Sequence, residues 1–300
     1  MNETSQLLER IAQVIVPVFF IVGVGYAYAR SVAPDMGSFN RIALDVLAPF
    51  LVYSALASKD FALREHVWLM AAAAIVILAS GLIGWAVARA AGVAPRTMVP
   101  VVMFNNCGNM GLPLALLAFG PANFGAAVAL FSVSNLLHFS IGARITAQAA
   151  RTRDLLLSPL MLATALGYFS CATELRPPSA ILGGMKLLGE AMLPLMLFTL
   201  GVRLTALRRT DIAAGLLGAV TRPVAGLIVA LPLAWFLGQT VGLSSAARGQ
   251  LLLFAALPPA VMQFLLAERY GQEPERVGAM ILLGNALAVV FVPIALALAW

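Results

Sequence analysis

Long apolar stretches separated by short polar segments fill this chain from one end to the other. A helix needs about 20 mainly apolar residues to cross the hydrocarbon core of a bilayer. The pattern therefore predicts ten transmembrane helices with short connections. Their expected ranges are 7–29, 41–57, 68–88, 98–119, 124–147, 155–172, 181–202, 216–237, 249–267 and 277–299.

Composition narrows this picture to a membrane protein with almost no soluble mass. The chain has 300 residues, of which 61% are hydrophobic and 11% are charged, whereas soluble domains carry about 25% charged residues. Ten helices use up the length, so we predict an all-α polytopic protein that forms a single membrane domain. The net charge of +6 comes from basic residues at helix ends, which orient the chain in the lipid bilayer and do not indicate binding to nucleic acid.

The distribution of basic residues predicts the orientation. Of the nineteen Lys and Arg residues, twelve fall in one set of alternate loops and six in the other. Because cytoplasmic loops carry the excess of Lys and Arg, we place the twelve in the cytoplasm. This puts both termini on the periplasmic or extracellular side of a multi-pass inner-membrane protein.

The two halves of the chain repeat the same features in the same order, 142 to 150 residues apart. Five helices per half is an odd number, so the second half has the opposite orientation. We therefore predict a five-plus-five inverted repeat, with residues 1–150 as the first unit and 151–300 as the second. The matched features are Pro17 with Gly25 and Pro159 with Gly167, Pro49 and Pro194, Pro113 and Pro258, and Asn135 and Asn285.

Two predicted helices contain residues that interrupt a helix. Residues 105–113 read Asn-Asn-Cys-Gly-Asn-Met-Gly-Leu-Pro, and Pro258-Pro259 interrupts the ninth helix. Proline removes an amide donor and glycine weakens a helix interior. Backbone groups freed at bilayer depth must find partners in the protein or line a cavity. Paired breaks in the two halves indicate the binding site of a transporter.

The residues in these breaks suit an anion. The free N-termini of half-helices carry partial positive charge, and Asn105, Asn106, Asn109 and Gln263 add neutral amides. Alternatively, the asparagines only satisfy backbone groups freed by Gly108, Gly111 and Pro113. Neither break contains an acidic residue at its centre, which disfavours a cation site built from carboxylates, although sodium bound by carbonyl and amide oxygens stays open. The sequence predicts no cofactor and no metal.

Four other polar residues lie inside predicted helices. Asp45 is a candidate proton carrier or polar support, because intramembrane carboxylates are expensive and commonly functional; pairing with a basic side chain is the alternative. Asn135 and His138 share one face of the fifth helix, and Asn285 lies in the tenth. They are candidates for proton coupling or polar support. Arg222 could attract an anion, but we expect it to extend to the cytoplasmic interface.

The motif Asn106-x-Gly108-x-x-Gly111-x-Pro113-Leu114, followed by Phe119-Gly120, resembles the auxin efflux carrier family. The resemblance covers essentially the whole chain. It implies the fold of bile-acid symporters, in which helices one, two, six and seven form a scaffold that faces a transport unit. It also implies organic-anion substrates, such as auxin, malonate or malate. Scaffolds of this type commonly form homodimers. By this resemblance the crossover consists of Asn106, Gly108, Gly111, Pro113, Pro258 and Pro259.

We therefore predict a secondary transporter of a small organic carboxylate, working by elevator-type alternating access as a uniporter or with proton coupling. A sodium-coupled organic-anion symporter is the alternative within the same class. An intramembrane enzyme is a third reading, but Asp45 has no aspartate partner in the helices and no nucleophile or metal motif is present. Amide-lined breaks do not favour a passive channel.

Overall fold

The computed structural model describes residues 3–32, 34, 38, 41–58, 61, 63–146, 157–205 and 212–300. Within these ranges the regular secondary structure is helical, and two extended residues form an isolated bridge. The continuous helices are α1 (Glu3–Ser31), α2 (Ala48–Leu56), α3 (Leu63–Ala91), α5 (Phe124–Leu137), α6 (Pro159–Thr173), α7 (Ser179–Leu204), α8 (Ile212–Thr240) and α10 (Pro274–Ala299).

Two helices are interrupted where the sequence predicts breaks. The first consists of α4a (Pro95–Met103) and α4b (Leu112–Phe119), and the second of α9a (Ser245–Ala256) and α9b (Met262–Tyr270). Wide π-helical turns adjoin three helices, and such turns are frequent at functional sites. The turns are Ala43–Leu47 before α2, Cys107–Gly111 before α4b and His138–Gly142 after α5.

Within the described residues, six helical segments are long and apolar enough to cross a membrane. Three shorter apolar helices, Asp45–Leu56, Cys107–Phe119 and Pro159–Thr173, accompany them. The described residues thus form the all-helical fold of a polytopic membrane protein. Their order follows the predicted one, and residues 147–156, which hold the expected end of the fifth helix and start of the sixth, lie outside the described ranges.

The helices pack in two groups. In the first, α1 packs on α7, and α2 packs on both α6 and α7. In the second, α3 packs on α4a, α5 and α8, while α8 and α9a pack on each other and on α10. Helices α1 and α7 approach so closely that a side chain at Gly25 or Gly201 would collide with the facing backbone. Close approach through small residues is the usual way for helices to associate in lipid.

Candidate substrate site at the helix crossover

The two helix breaks pair with each other through their backbones. Asn105 and Pro259 form an antiparallel bridge, the Asn106 amide donates to the Pro258 carbonyl at 2.7 Å, and the Ala260 amide donates to the Phe104 carbonyl at 2.9 Å. The two prolines have no amide to donate, so their segment contributes mainly acceptors. The four half-helices α4a, α4b, α9a and α9b therefore meet at one backbone crossover.

Side chains cap the carbonyls left free at the end of α9a. The last carbonyls of a helix have no partner within it. The Asn105 amide donates to the Phe254 carbonyl at 2.5 Å, and the Arg222 guanidinium donates to the Ala255 carbonyl at 3.1 Å. The Asn105 side chain thus pairs a backbone carbonyl freed at the break. This is one of the two roles that the sequence allows for these asparagines.

A buried pair of asparagines joins the first break to α10. The Asn106 side-chain amide donates to the Asn285 carbonyl oxygen at 2.7 Å, and the Asn285 amide donates to the Ile281 carbonyl at 2.8 Å. Backbone carbonyls only accept hydrogen bonds, which fixes the direction of the Asn285 amide and then that of Asn106. Both residues are almost fully buried, so this pair locks α10 against the crossover.

A second buried chain runs from His138 through Gln263 to Thr146. The Thr146 hydroxyl donates to the Gly142 carbonyl at 3.1 Å, so its oxygen accepts the Gln263 amide at 3.0 Å. The Gln263 carbonyl then faces His138 Nε2 at 2.6 Å, which places the imidazole hydrogen on Nε2. The ring stacks on Phe104, with centroids 4.2 Å apart.

A cavity of about 80 Å³ adjoins the crossover, which is room for several water molecules. Its polar lining comes from the second helix group, and Ala48, Leu160, Met192 and Met196 of the first group close the opposite side. The described lining residues include no Asp, Glu, Lys or Arg. The polar lining residues are Asn105, Asn106, Asn109, Ser134, Asn135 and His138.

Two buried polar atoms of this lining have no hydrogen-bond partner among the described residues. They are the side-chain nitrogen of Asn135, a donor, and the side-chain oxygen of Asn105, an acceptor. Native proteins pair the large majority of buried polar groups, and each exception needs an explanation. Both atoms have almost no accessible surface, so a bound molecule with both kinds of hydrogen-bonding group would satisfy them after the two side chains turn toward the cavity.

The predicted site residues divide into three sets. Those that line the cavity are Asn105, Asn106, Gly108, Asn109, Asn135 and His138. Those that build the crossover behind the lining are Gly111, Pro113, Pro258, Pro259, Gln263 and Asn285. Asp45 is separate, because its side chain is exposed on the outer surface and does not reach the cavity.

The expectation for Arg222 is wrong. Arg222 is 0% exposed and contacts the end of α9a, so its guanidinium does not extend to the surface. The predicted helix began at residue 216, but α8 begins at Ile212, and ten residues of helix place Arg222 about 15 Å along the axis. Ser134 also lines the cavity, and the sequence indicates it only as the neighbour of Asn135 in the repeated feature.

Two interrupted helices that cross beside a polar cavity, within an apolar helical bundle, define the class of membrane transporters. The chain belongs to a family of this class, described as "Membrane transport protein", whose model matches residues 11–155 and 144–296. This is the family of the auxin efflux carriers, so the resemblance carried by the residue 106–114 motif is confirmed.

One similar protein comes from Rhizobium meliloti (strain 1021) and is described as a "Putative malonate transporter". The two sequences are 27% identical over 311 residues, covering 94% of this chain and 93% of the relative. The match extends over both broken helices and over the cavity lining.

Proposed function

We propose that this protein is a secondary transporter of a small organic carboxylate, with malonate as the first substrate to test. The cavity at the crossover carries the proposal, because the side-chain amides of Asn109 and Asn135 line it, the Asn135 nitrogen has no partner among the described residues, and none of the described lining residues is a carboxylate. The description of the relative as a malonate transporter supports the choice of substrate. Malate and auxin-like acids are the next candidates.

We further propose ten transmembrane helices arranged as a five-plus-five inverted repeat. Exchanging each helix with its counterpart five positions later turns the α1–α7 contact into the α6–α2 contact. The same exchange turns α3–α4a into α8–α9a and α3–α5 into α8–α10. This symmetry of the packing supports the repeat, which the spacing of Pro113 and Pro258 predicts.

The proposed mechanism is an elevator motion of the second helix group against the first. The cavity lies between the groups, with the polar crossover on one side and the apolar side chains of Ala48, Leu160, Met192 and Met196 on the other. The apolar side chains on this side of the cavity offer no hydrogen bonds that a sliding motion would break there, although the Tyr168 hydroxyl, which donates to Met70 across the two groups, would have to change partner. We place the protein in the inner membrane with both termini periplasmic, and expect the first group to form the interface of a homodimer.

Coupling is proposed as uniport or proton symport, with sodium symport as the second candidate. The unpartnered Asn105 oxygen is the observation that favours sodium, since hard cations bind oxygen ligands. Malonate uptake measured with choline in place of sodium separates the two. Uptake that is unchanged without sodium excludes sodium coupling, and uptake that disappears establishes it.

The main test is transport of labelled malonate by the purified protein in proteoliposomes. We expect saturable uptake that unlabelled malonate and malate inhibit and that empty liposomes lack. The label recovered from inside the vesicles should still be malonate, because the proposal involves no chemical conversion. Absence of uptake for malonate, malate and indole acetate, with correctly folded protein, would contradict the proposal.

A further inference from the structure

Arg222 is the one charged residue among the described side chains that is completely buried. Its exposed fraction is 0%, and it lies in the middle of α8, where Gly226 one turn later leaves room for the guanidinium. One nitrogen, Nη1, donates to the Ala255 carbonyl. The other two, Nε and Nη2, have no hydrogen-bond partner among the described residues.

Among the described residues, the positive charge of Arg222 has no counter-ion. Neither of the two ion pairs between those residues involves it. An isolated buried charge is strongly destabilising, which is why buried charges are normally paired. Capping the end of α9a uses one nitrogen only and leaves the charge uncompensated.

Arg222 lies close to the proposed substrate cavity without lining it. The Arg222 guanidinium donates to the Ala255 carbonyl, and the adjacent Phe254 carbonyl accepts from Asn105, which lines the cavity. The guanidinium therefore lies behind the cavity lining, and the half-helix that follows the Cys107 turn adds the partial positive charge of its N-terminal end beside the same cavity. The positive charge of Arg222 and the positive end of this helix dipole both attract an anion into the cavity. The protein between them and the cavity has a low dielectric constant, so the attraction is weakened little.

We propose that Arg222 sets the charge preference of the transporter, by favouring dianionic over monoanionic and neutral substrates at the crossover. This inference rests on the proposed function. Arg222 is a positioning residue that acts through the field in the cavity, since no atom of Arg222 lines it. A bound dicarboxylate brings into the field of Arg222 a negative charge that none of the described residues supplies.

The test compares three ligands of nearly equal shape and different charge: malonate, its monoamide malonamate, and malonamide. Equilibrium binding to the purified protein is measured for the wild type, Arg222→Gln and Arg222→Lys. Wild-type affinity should fall in the order malonate, malonamate, malonamide. In Arg222→Gln, malonate affinity should fall about tenfold or more while malonamide affinity stays unchanged, since only charged ligands feel the lost field. Arg222→Lys should keep most of the preference.

Arg89→Gln is the matched control, because it removes the same charge from an exposed arginine that lies over Trp85. It should leave all three affinities unchanged. An unchanged ratio of malonate to malonamate affinity in Arg222→Gln would overturn the inference, as would an equal loss for all three ligands. A wild type that binds no carboxylate would instead contradict the proposed function.

Thermal stability of the ligand-free protein is the second readout. Removing an uncompensated charge should leave the melting temperature of Arg222→Gln and Arg222→Met equal to or above that of the wild type. If both variants unfold while Arg222→Lys folds, the charge serves to hold α9a in place, and the inference is wrong.

Discussion

The two helix breaks have paired backbones and opposite side-chain chemistry. The break between α4a and α4b, here called the α4 break, contains Asn105, Asn106 and Asn109. The break between α9a and α9b, the α9 break, is Leu-Pro-Pro-Ala-Val over residues 257–261. Asparagine brings hydrogen-bonding groups that can turn toward a ligand. Proline brings a fixed backbone without a donor. One break therefore supplies the chemistry of the site, and the other supplies its shape.

The polar break donates most of the hydrogen bonds that stabilise the apolar break. Asn105 caps the end of α9a, and the Asn106 amide bonds the Pro258 carbonyl. The α9 break returns the Ala260 amide to Phe104 and adds no polar side chain of its own until Gln263. Substitutions in the α4 break should consequently affect both binding and stability, while those around the α9 break should affect stability alone.

The largest effect on binding should come from a negative charge on the polar side of the cavity. Asn135→Asp replaces the unpartnered donor with a carboxylate. Like charges about 4 Å apart repel by about 4 kcal/mol at an effective dielectric constant near 20, so malonate affinity should fall at least hundredfold at neutral pH. Isothermal titration measures this. Asn135→Ser, which keeps a neutral donor, is the control and should lose far less affinity.

Asn106 lines the cavity from the α4 break and Val261 lines it from the α9 break. Replacing each by alanine therefore tests whether only the α4 break binds the substrate. Asn106→Ala should abolish the thermal shift caused by malonate. It should also lower the stability of the ligand-free protein by about 1–3 kcal/mol, since the buried Asn285 oxygen loses its donor. Val261→Ala should retain a ligand-induced shift. Equal losses of the shift in both variants would show that the two breaks share the binding chemistry.

Two glycine substitutions test whether the rigid ring of Pro259 fixes the shape of the α9 break. At Gly284, a side chain would collide with the rigid ring of Pro259, so Gly284→Ala should cost about 1–3 kcal/mol of stability. At Gly108, a Cβ would lie 2.9 Å from Phe131 Cε2, and that ring can move. Denaturation in detergent should therefore rank Gly284→Ala as the less stable variant; the reverse order would contradict the rigid role of Pro259.

The smallest effect should come from Thr146→Val, which removes the hydroxyl at the end of the His138–Gln263 chain. The loss of one hydrogen bond should cost about 1 kcal/mol of stability. Malonate affinity should change little, because Thr146 and Gln263 do not line the cavity. If Thr146→Val lowers the transport rate more than Asn106→Ala does, then Gln263 of α9b takes part in substrate binding, which would contradict the assignment of that role to the α4 break.

Much of the fold was predictable, because lipid imposes simple rules on sequence. Helix order follows from apolar length, the first break lies in and just before the Asn- and Gly-rich residues 105–113, and the second lies at Pro258-Pro259. The pairing of Asn105 with Pro259 was predictable only as a crossing of helices. Its hydrogen bonds depend on which amides and carbonyls face each other, and the pattern of apolar residues contains no information on that.

Individual side-chain roles were less predictable. Asn106 and Asn285 lie 179 residues apart, and no local pattern indicates that they bond. The exposure of Asp45 and the burial of Arg222 depend on how each helix is rotated in the bundle. A helix start that is wrong by a few residues changes how deep in the membrane a side chain is predicted to lie. An arginine ten residues inside an apolar helix is the sequence signal that could have identified Arg222 as buried.

The most direct test of a carboxylate site at the crossover is to locate a bound dicarboxylate by diffraction. Bromomalonate carries a bromine atom whose anomalous signal marks its position in a crystal of the protein. We expect a peak inside the cavity between Asn106 and Met192, with a carboxylate oxygen within hydrogen-bonding distance of the Asn135 nitrogen. A fully occupied peak elsewhere on the protein, with the cavity at the crossover empty, would contradict this expectation.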